Sequence, residues 1–326
     1  MRVALLEEIK SPITVVEKPE PEPRHGEALV YLHAAALNHR DVYIQQGLYA
    51  NIQTPVVLGS DGAGTCHGGR EVIICPSFHW GENSRAQGAE YQILGMPQDG
   101  TFSDQICVPE SHLFPKPEHL SWEEAAALPL AGLTAWRALF TKCDLQEGEK
   151  VLITGIGGGV ALIAFQLAMA KGAHVWVSSG SDEKIQSALD MGAQGGVNYK
   201  QETWHKTLKE RAEGFDVIID SAGGDGFAKL PAMCNPGARI AIYGGTQGKI
   251  SGLSPQIVFW KQISIHGTSM GTLEEFGKML AFVDEHKIQP IVDHVMELEK
   301  VNEAMDRMDK GDQFGKIVLR LAGTPD

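Results

Sequence analysis

The stretch KVLITGIGGGVALIAFQLAMAKGAHVWVSSGS (150–181) decides how this chain is read. The apolar run Val151–Ile153 has the character of a strand covered on both faces. Gly155, Gly157, Gly158 and Gly159 follow, where a sharp turn and close backbone approach to a ligand call for residues without a Cβ. A helix is predicted from about Val160 to the C-cap glycine Gly172, and a second strand over HVWVSS. The N-terminus of such a helix offers free N–H groups and a positive dipole end, which suit a pyrophosphate. The strict G-x-G-x-x-G spacing fails at Val160; Gly155, Gly158 and Ala161 fit a looser form, with Ala161 as the small packing residue. Within a strand–turn–helix–strand unit, this pattern points to a dinucleotide.

Working outward, strand and helix patterns alternate after Lys150. HVWVSS, GGVNY, FDVIIDSAGG, ARIAIYGG and ISIHGTS continue a doubly wound parallel sheet of about six strands. Residues 1 to 120 read instead as short strands separated by Gly and Pro, among them EALVYLHAAALN, VVLGSDGAG, REVIIC and FSDQICVP. Residues 80–100 lack periodicity and read as a long surface loop. SWEEAAALPLAGLTAWRALFTKC opens with a capping box, Ser121 with Glu124, and Pro129 interrupts the helix that follows. After Gly271 come a helix, a strand near 291–298, a helix near 299–310 and the strand GKIVLRL.

The net charge of −13 argues against nonspecific binding to nucleic acid or anionic membranes. No apolar run reaches membrane-spanning length, and MRVALLEEIK lacks a secretory pattern. Five scattered cysteines, an odd number, point to reduced thiols and a cytoplasmic location.

LNHRDVYIQQGLY (37–49), VLGSDGAG (57–64), ALPLAGLTAWRAL (127–139), the glycine turn, NYK (198–200), DSAGG (220–224), YGG (243–245) and FGKIV (314–318) together resemble the medium-chain dehydrogenase/reductase superfamily. Within it the chain is most similar to the zinc-independent quinone oxidoreductases. The resemblance implies an α/β fold: a GroES-like β-rich catalytic domain (1–120 and 268–326) and a doubly wound Rossmann domain (121–267), with the active site in the cleft between them. It also implies a homodimer formed through sheet edges, with ISIHGT (263–268) as the candidate edge.

Zinc alcohol dehydrogenases of this superfamily use Cys, His and Cys at three motif positions. Here those positions hold Asn38, Ser60 and Leu130, and residues 80–100 contain no cysteine where the structural-zinc lobe would lie. Loss of both metals is expected. Cys66, His67, Cys75 and His79 form a second cysteine–histidine group, but their spacing matches no standard ligand pattern.

The strand HVWVSS ends in Ser178 and Ser179, followed by Gly180 and Ser181, with no acid in line to meet a ribose 2′-hydroxyl. A 2′-phosphate is therefore tolerated and NADPH is favoured over NADH. By resemblance Lys184 and Tyr199 close around that phosphate. Further cofactor positions implied are Thr134, Gly223, Tyr243, Gly244, Gly245, Phe314, Gly315 and Lys316. Asn38, Asp41, Tyr43 and Tyr49 are placed at the nicotinamide and acceptor. Tyr43 is a candidate donor to the developing oxyanion and Asp41 an orienting group, with His39 and Arg40 as further candidates. The expected activity is hydride transfer to a quinone or an α,β-unsaturated carbonyl. A zinc-free enoyl-thioester reductase and a non-catalytic NADPH-binding structural or regulatory protein are the rival readings.

Overall fold

A computed structural model describes residues 1–323. Its contacts divide the chain into two compact units, Met1–Leu133 with the segment from Gly271 onward, and Thr134–Met270. The divisions thus fall at 133/134 and 270/271, where the sequence suggested 120/121 and 267/268. The first difference has a simple origin. Ser121 and Glu124 form the expected reciprocal cap, and the helix Trp122–Ala127 buries Ala125, Ala126 and Ala127. Those small side chains let it lie directly on the strands Glu27–Ala36 and Asp61–Cys66 of the first unit. At Leu128 this helix ends, and a new one starts at Pro129.

The second unit holds a parallel sheet of six strands. Their spatial order is Gly195–Asn198, His174–Ser179, Lys150–Ile153, Phe215–Asp220, Cys234–Ile242 and Ser264–Gly267. The chain starts at the centre, winds outward one way and then the other. A topological switch point is thereby left between Lys150–Ile153 and Phe215–Asp220, the place where open α/β sheets bind ligands. Val151, Leu152, Ile153, Val217, Ile218 and Ile219 are fully buried, as continuous apolar strands require.

In the first unit, the long strand Glu27–Ala36 runs antiparallel to Asp61–Cys66 on one side and to the C-terminal strand Lys316–Arg320 on the other. Ala36 pairs with Asp61 across one ladder and with Val318 across the other. Leu37 N–H continues the second ladder by donating to the Ile317 carbonyl at 3.0 Å. Asn38, Asp61 and Lys316 thus emerge at one end of three adjacent strands. Residues 80–100 depart from the expected surface loop in their second half. Gln92–Ile93 pairs with Ser77–Phe78, and Leu94 and Met96 are buried. Among the described residues, no helix is long and apolar enough to cross a membrane.

Candidate active site

The turn after Lys150–Ile153 is built from missing side chains. Gly155 has φ +68°, and a Cβ there would sit 2.7 Å from Ser221 Oγ. Gly157 has φ +125°, and its Cβ would meet Lys184 Cδ at 2.7 Å. Gly158 caps the helix Gly159–Ala170, so Gly159 and Val160 form its first turn, where amides have no intrahelical acceptor. Across the switch point, Asp220 ties two turns together. Its Oδ1 accepts from the Thr154 hydroxyl at 2.8 Å, and its Oδ2 accepts from the amides of Ala222 and Gly223 at 3.1 and 2.8 Å. Burial pushes the Asp220 carboxyl above the usual carboxylate range, partly offset by those bonds. Gly223 takes φ +67°, and a Cβ on Gly244 would collide with the Ser221 carbonyl. The neighbouring Tyr243 is held above the ordinary phenol range by burial.

At the end of His174–Ser179, Ser178 and Ser179 are buried. Ser181 is engaged as a helix cap, accepting from Lys184 N–H and donating to Glu183. Tyr199 Oη and Lys200 Cε both crowd Gly180, where a Cβ would lie within 2.9 and 3.0 Å of them. Lys184, Tyr199 and Lys200 thus gather around two glycine positions, and Lys200 is an addition to the residues the sequence singled out. Thr134 is buried, its hydroxyl 3.9 Å from Met270 Sδ. These features fit a dinucleotide: a turn hollowed by glycine, a helix N-terminus above it, and cationic side chains at its far end.

The first unit brings Asn38 and Lys316 together with a residue that sequence reasoning passed over, Asp61. Lys316 Nζ donates to Asn38 Oδ1 at 2.7 Å and to Asp61 Oδ2 at 2.9 Å. Asn38 Nδ2 donates to the same Asp61 oxygen at 2.9 Å, and Leu130 N–H donates to Asp61 Oδ1 at 2.8 Å. The side chains of Lys316 and Asp61 are 4% and 0% exposed, so this is a fully desolvated ion pair. The sequence signal for Asp61 was the acid that follows Ser60 in GSDG, beside the position that carries a ligand in zinc enzymes.

Arg40 fills the next space. Its guanidinium donates to Ser60 Oγ at 2.7 Å and to the Leu94 carbonyl at 2.8 Å, and lies 5.3 Å from the Tyr49 ring centroid. Tyr43 is half-buried on the helix His39–Gln45, its ring 6.3 Å from that of the exposed His39. Asp41 caps that helix by accepting from Asn38 N–H at 2.8 Å, while its Oδ1 is buried without a hydrogen-bond partner among the described residues. Burial pushes Asp41 up to about 6, against the pull of Arg40. Phe314 N–H donates to Asp293, and a Cβ on Gly315 would meet the Ile291 carbonyl at 2.5 Å. Both residues shape the approach of the chain to Lys316.

The donor set does not fit zinc. An amide already bound to an ammonium, a hydroxyl bound to a guanidinium, and an alkyl side chain offer no imidazole or thiolate. At the second cysteine–histidine group, Cys66 and Cys75 are buried, Cys66 accepts from Arg70 Nε at 3.1 Å, and burial drives the Cys75 thiol up to about 12. A thiol so hard to ionise is a poor metal ligand.

A doubly wound dinucleotide unit, together with a β-rich unit carrying a polar cluster, defines a nicotinamide-dependent oxidoreductase. Residues 24–118 match the family model of the alcohol dehydrogenase GroES-like domain, and residues 159–285 that of the zinc-binding dehydrogenases. The zinc-type alcohol dehydrogenase-like protein YogA of Leptosphaeria maculans is 36% identical, covering 95% of this chain and 94% of its own. The crystal structure of an NAD-dependent alcohol dehydrogenase matches with a TM-score of 0.92 at 35% identity, covering 99% of this chain and 100% of that one. The quinone oxidoreductase of Thermus thermophilus, solved also with NADPH, matches at 0.83 and 25% identity, covering 98% and 100%. The chain belongs to the medium-chain dehydrogenase/reductase superfamily, and its β-rich unit is the GroES-like domain.

Proposed function

We propose that this protein is a zinc-independent, NADPH-dependent reductase of quinones and α,β-unsaturated carbonyls. The observation that carries the reading is the Asn38–Asp61–Lys316 cluster: one of the positions that hold metal ligands in zinc relatives is committed to a buried ion pair. Polarisation of the acceptor oxygen then falls to hydrogen-bond donors. A reduced nicotinamide, when bound, supplies the hydride. Asn38 is the proposed donor to the acceptor oxygen and Tyr43 the proposed source of the final proton, directly or through water. Tyr49, stacked under Arg40, forms the proposed wall against which a planar acceptor lies.

The choice of NADPH rests on the serines at the end of His174–Ser179 and on Lys184, Tyr199 and Lys200 beside them. The acid nearest that strand end, Asp182, is engaged by Asn198 Nδ2 at 2.9 Å. The test is the initial rate of NADPH and NADH oxidation with 9,10-phenanthrenequinone and a small enone, with and without a chelator. Chelator-insensitive turnover preferring NADPH is expected; chelator-sensitive turnover overturns the zinc-free reading. No turnover despite tight NADPH binding overturns the quinone and enone assignment.

The proposed assembly is a homodimer. Ser264–Gly267 is an edge strand with Ile265 outward, and Trp260 and Phe259 just before it are 83% and 59% exposed. Light scattering coupled to size exclusion checks this, a monomer being the contrary result. A cytoplasmic location is proposed from five free cysteines.

A further inference from the structure

Asparagine amides are ambiguous by nature, because oxygen and nitrogen look alike and the group can rotate by half a turn. The surroundings of Asn38 remove the ambiguity. Its Oδ1 faces Lys316 Nζ at 2.7 Å, and an ammonium can only donate. Its Nδ2 faces Asp61 Oδ2 at 2.9 Å, with the other oxygen of that carboxylate taken by Leu130 N–H. Turned over, the amide would set its oxygen against a carboxylate and its N–H groups against an ammonium.

The two charges also act on the amide electronically. A cation at the oxygen and an anion at one N–H favour the resonance form with negative oxygen and positive nitrogen. The second Nδ2–H, which has no protein acceptor among the described residues, becomes a better donor. An apolar pair would pack as well as Lys316 and Asp61 without the desolvation penalty of two buried charges.

We propose that Lys316 and Asp61 are positioning residues that fix Asn38 as an oriented, polarised N–H donor to the oxygen of the reducible carbonyl. The inference rests on the carbonyl-reduction reading above. As hydride bonds to the conjugated carbon, the carbonyl π pair moves onto oxygen, and the resulting enolate or phenolate is met by that N–H. A proton from Tyr43, directly or through water, completes the reduction, so the acceptor gains one hydride and one proton.

The experiment uses 4-nitrophenol as a phenolate probe that needs no turnover, its ionisation followed by absorbance as the full-length protein is titrated. Wild type is expected to lower the ionisation pH of the bound probe by about one unit. Asn38→Ala is expected to abolish the shift, Lys316→Met to remove most of it and Lys316→Arg to restore it. In the Asn38→Ala background, Lys316→Met should then change nothing further, since it acts through the amide. The double variant Lys316→Met/Asp61→Asn removes both buried charges together and serves if the single variant does not fold.

An unmoved ionisation in wild type overturns the inference. So does a shift that survives the loss of Lys316, or equal losses from Lys316→Met with and without Asn38. Quinone turnover with an Asn38-independent probe shift overturns this inference but keeps the proposed function. A Lys316- and Asn38-dependent shift with no reduction of quinone or enone overturns the acceptor reading instead.

Discussion

The glycine turn of the second unit and the charged cluster of the first are made by opposite means. At Gly155–Gly158 the fold takes side chains away and leaves backbone N–H groups at a helix end for a ligand to satisfy. Around Asp61 it fills the space and satisfies the charges internally, with three donors on one carboxylate. The hollow site needs its ligand to be complete; the filled one balances its charges without a ligand and leaves over a single Asn38 N–H. A filled cluster of this kind holds its geometry by its own bonds, and under the proposed function little reorganisation is left for the reaction itself.

The sharpest way to break this contrast is to remove one member of the filled site. Lys316→Met leaves Asp61 buried and unpaired, and the expected loss is about 3–5 kcal/mol in urea denaturation. Adding Asp61→Asn should recover most of that loss, and a Lys316→Met variant as stable as wild type would show that the pair does not hold the fold.

A second test uses pH. Native Asp41 keeps its proton up to about pH 6, whereas an unfolded aspartate releases it near 3.8. Between those values the native state binds more protons, so the Asp41 contribution to stability falls by about 3 kcal/mol as pH rises through the window, and is level above it. Asp41→Asn lacks this dependence. Relative to wild type it should gain stability from pH 4 to pH 6.5, measured by denaturation at each pH; parallel profiles would contradict it.

At the hollow site the effects are on binding. Gly157→Ala forces a side chain into φ +125°, a strain of about 1–3 kcal/mol, so the Kd for NADPH should rise by about ten-fold or more in a fluorescence titration. The smallest effect is expected from Lys184→Ala/Lys200→Ala, which should cut the preference for NADPH over NADH by roughly ten-fold at low salt and less at high salt. Equal weakening of both cofactors would place the lysines away from the 2′-phosphate.

The same contrast explains what could be read from the sequence. The turn, its helix and the flanking strands lie within one continuous stretch, so glycine spacing and apolar runs reveal them. The reciprocal cap of Ser121 and Glu124 and the break at Pro129 are local too. The helix Trp204–Ala212 escaped because its buried side, Trp204, Leu208 and Ala212, is a stripe one residue wide. Leu94 and Met96 escaped because the strand they adjoin, Gln92–Ile93, is too short to show alternation.

The cluster was legible only in part. Asn38 and Lys316 were singled out by resemblance, but their bond spans 278 residues and no periodicity announces it. Lys316 reads from the sequence as a cofactor position because nothing local ties it to its partner, Asp61. Asp220, quoted within DSAGG, has no role that the sequence reveals, for a similar reason. Its work is to join the turn at Thr154 to the one at Ala222–Gly223, and that geometry exists only once the two strands lie side by side.

One consequence follows from the strand Lys316–Arg320 lying beside Glu27–Ala36. Asp61 leaves the ribosome 255 residues before the ammonium that neutralises it. Until Lys316 is added the GroES-like unit therefore lacks both a central strand and a counter-charge, and the intervening Rossmann unit has been made in full before either arrives. Every chain that stops short of Lys316 carries Asp61 without that partner, so the charged cluster can close only after the whole Rossmann unit has been synthesised.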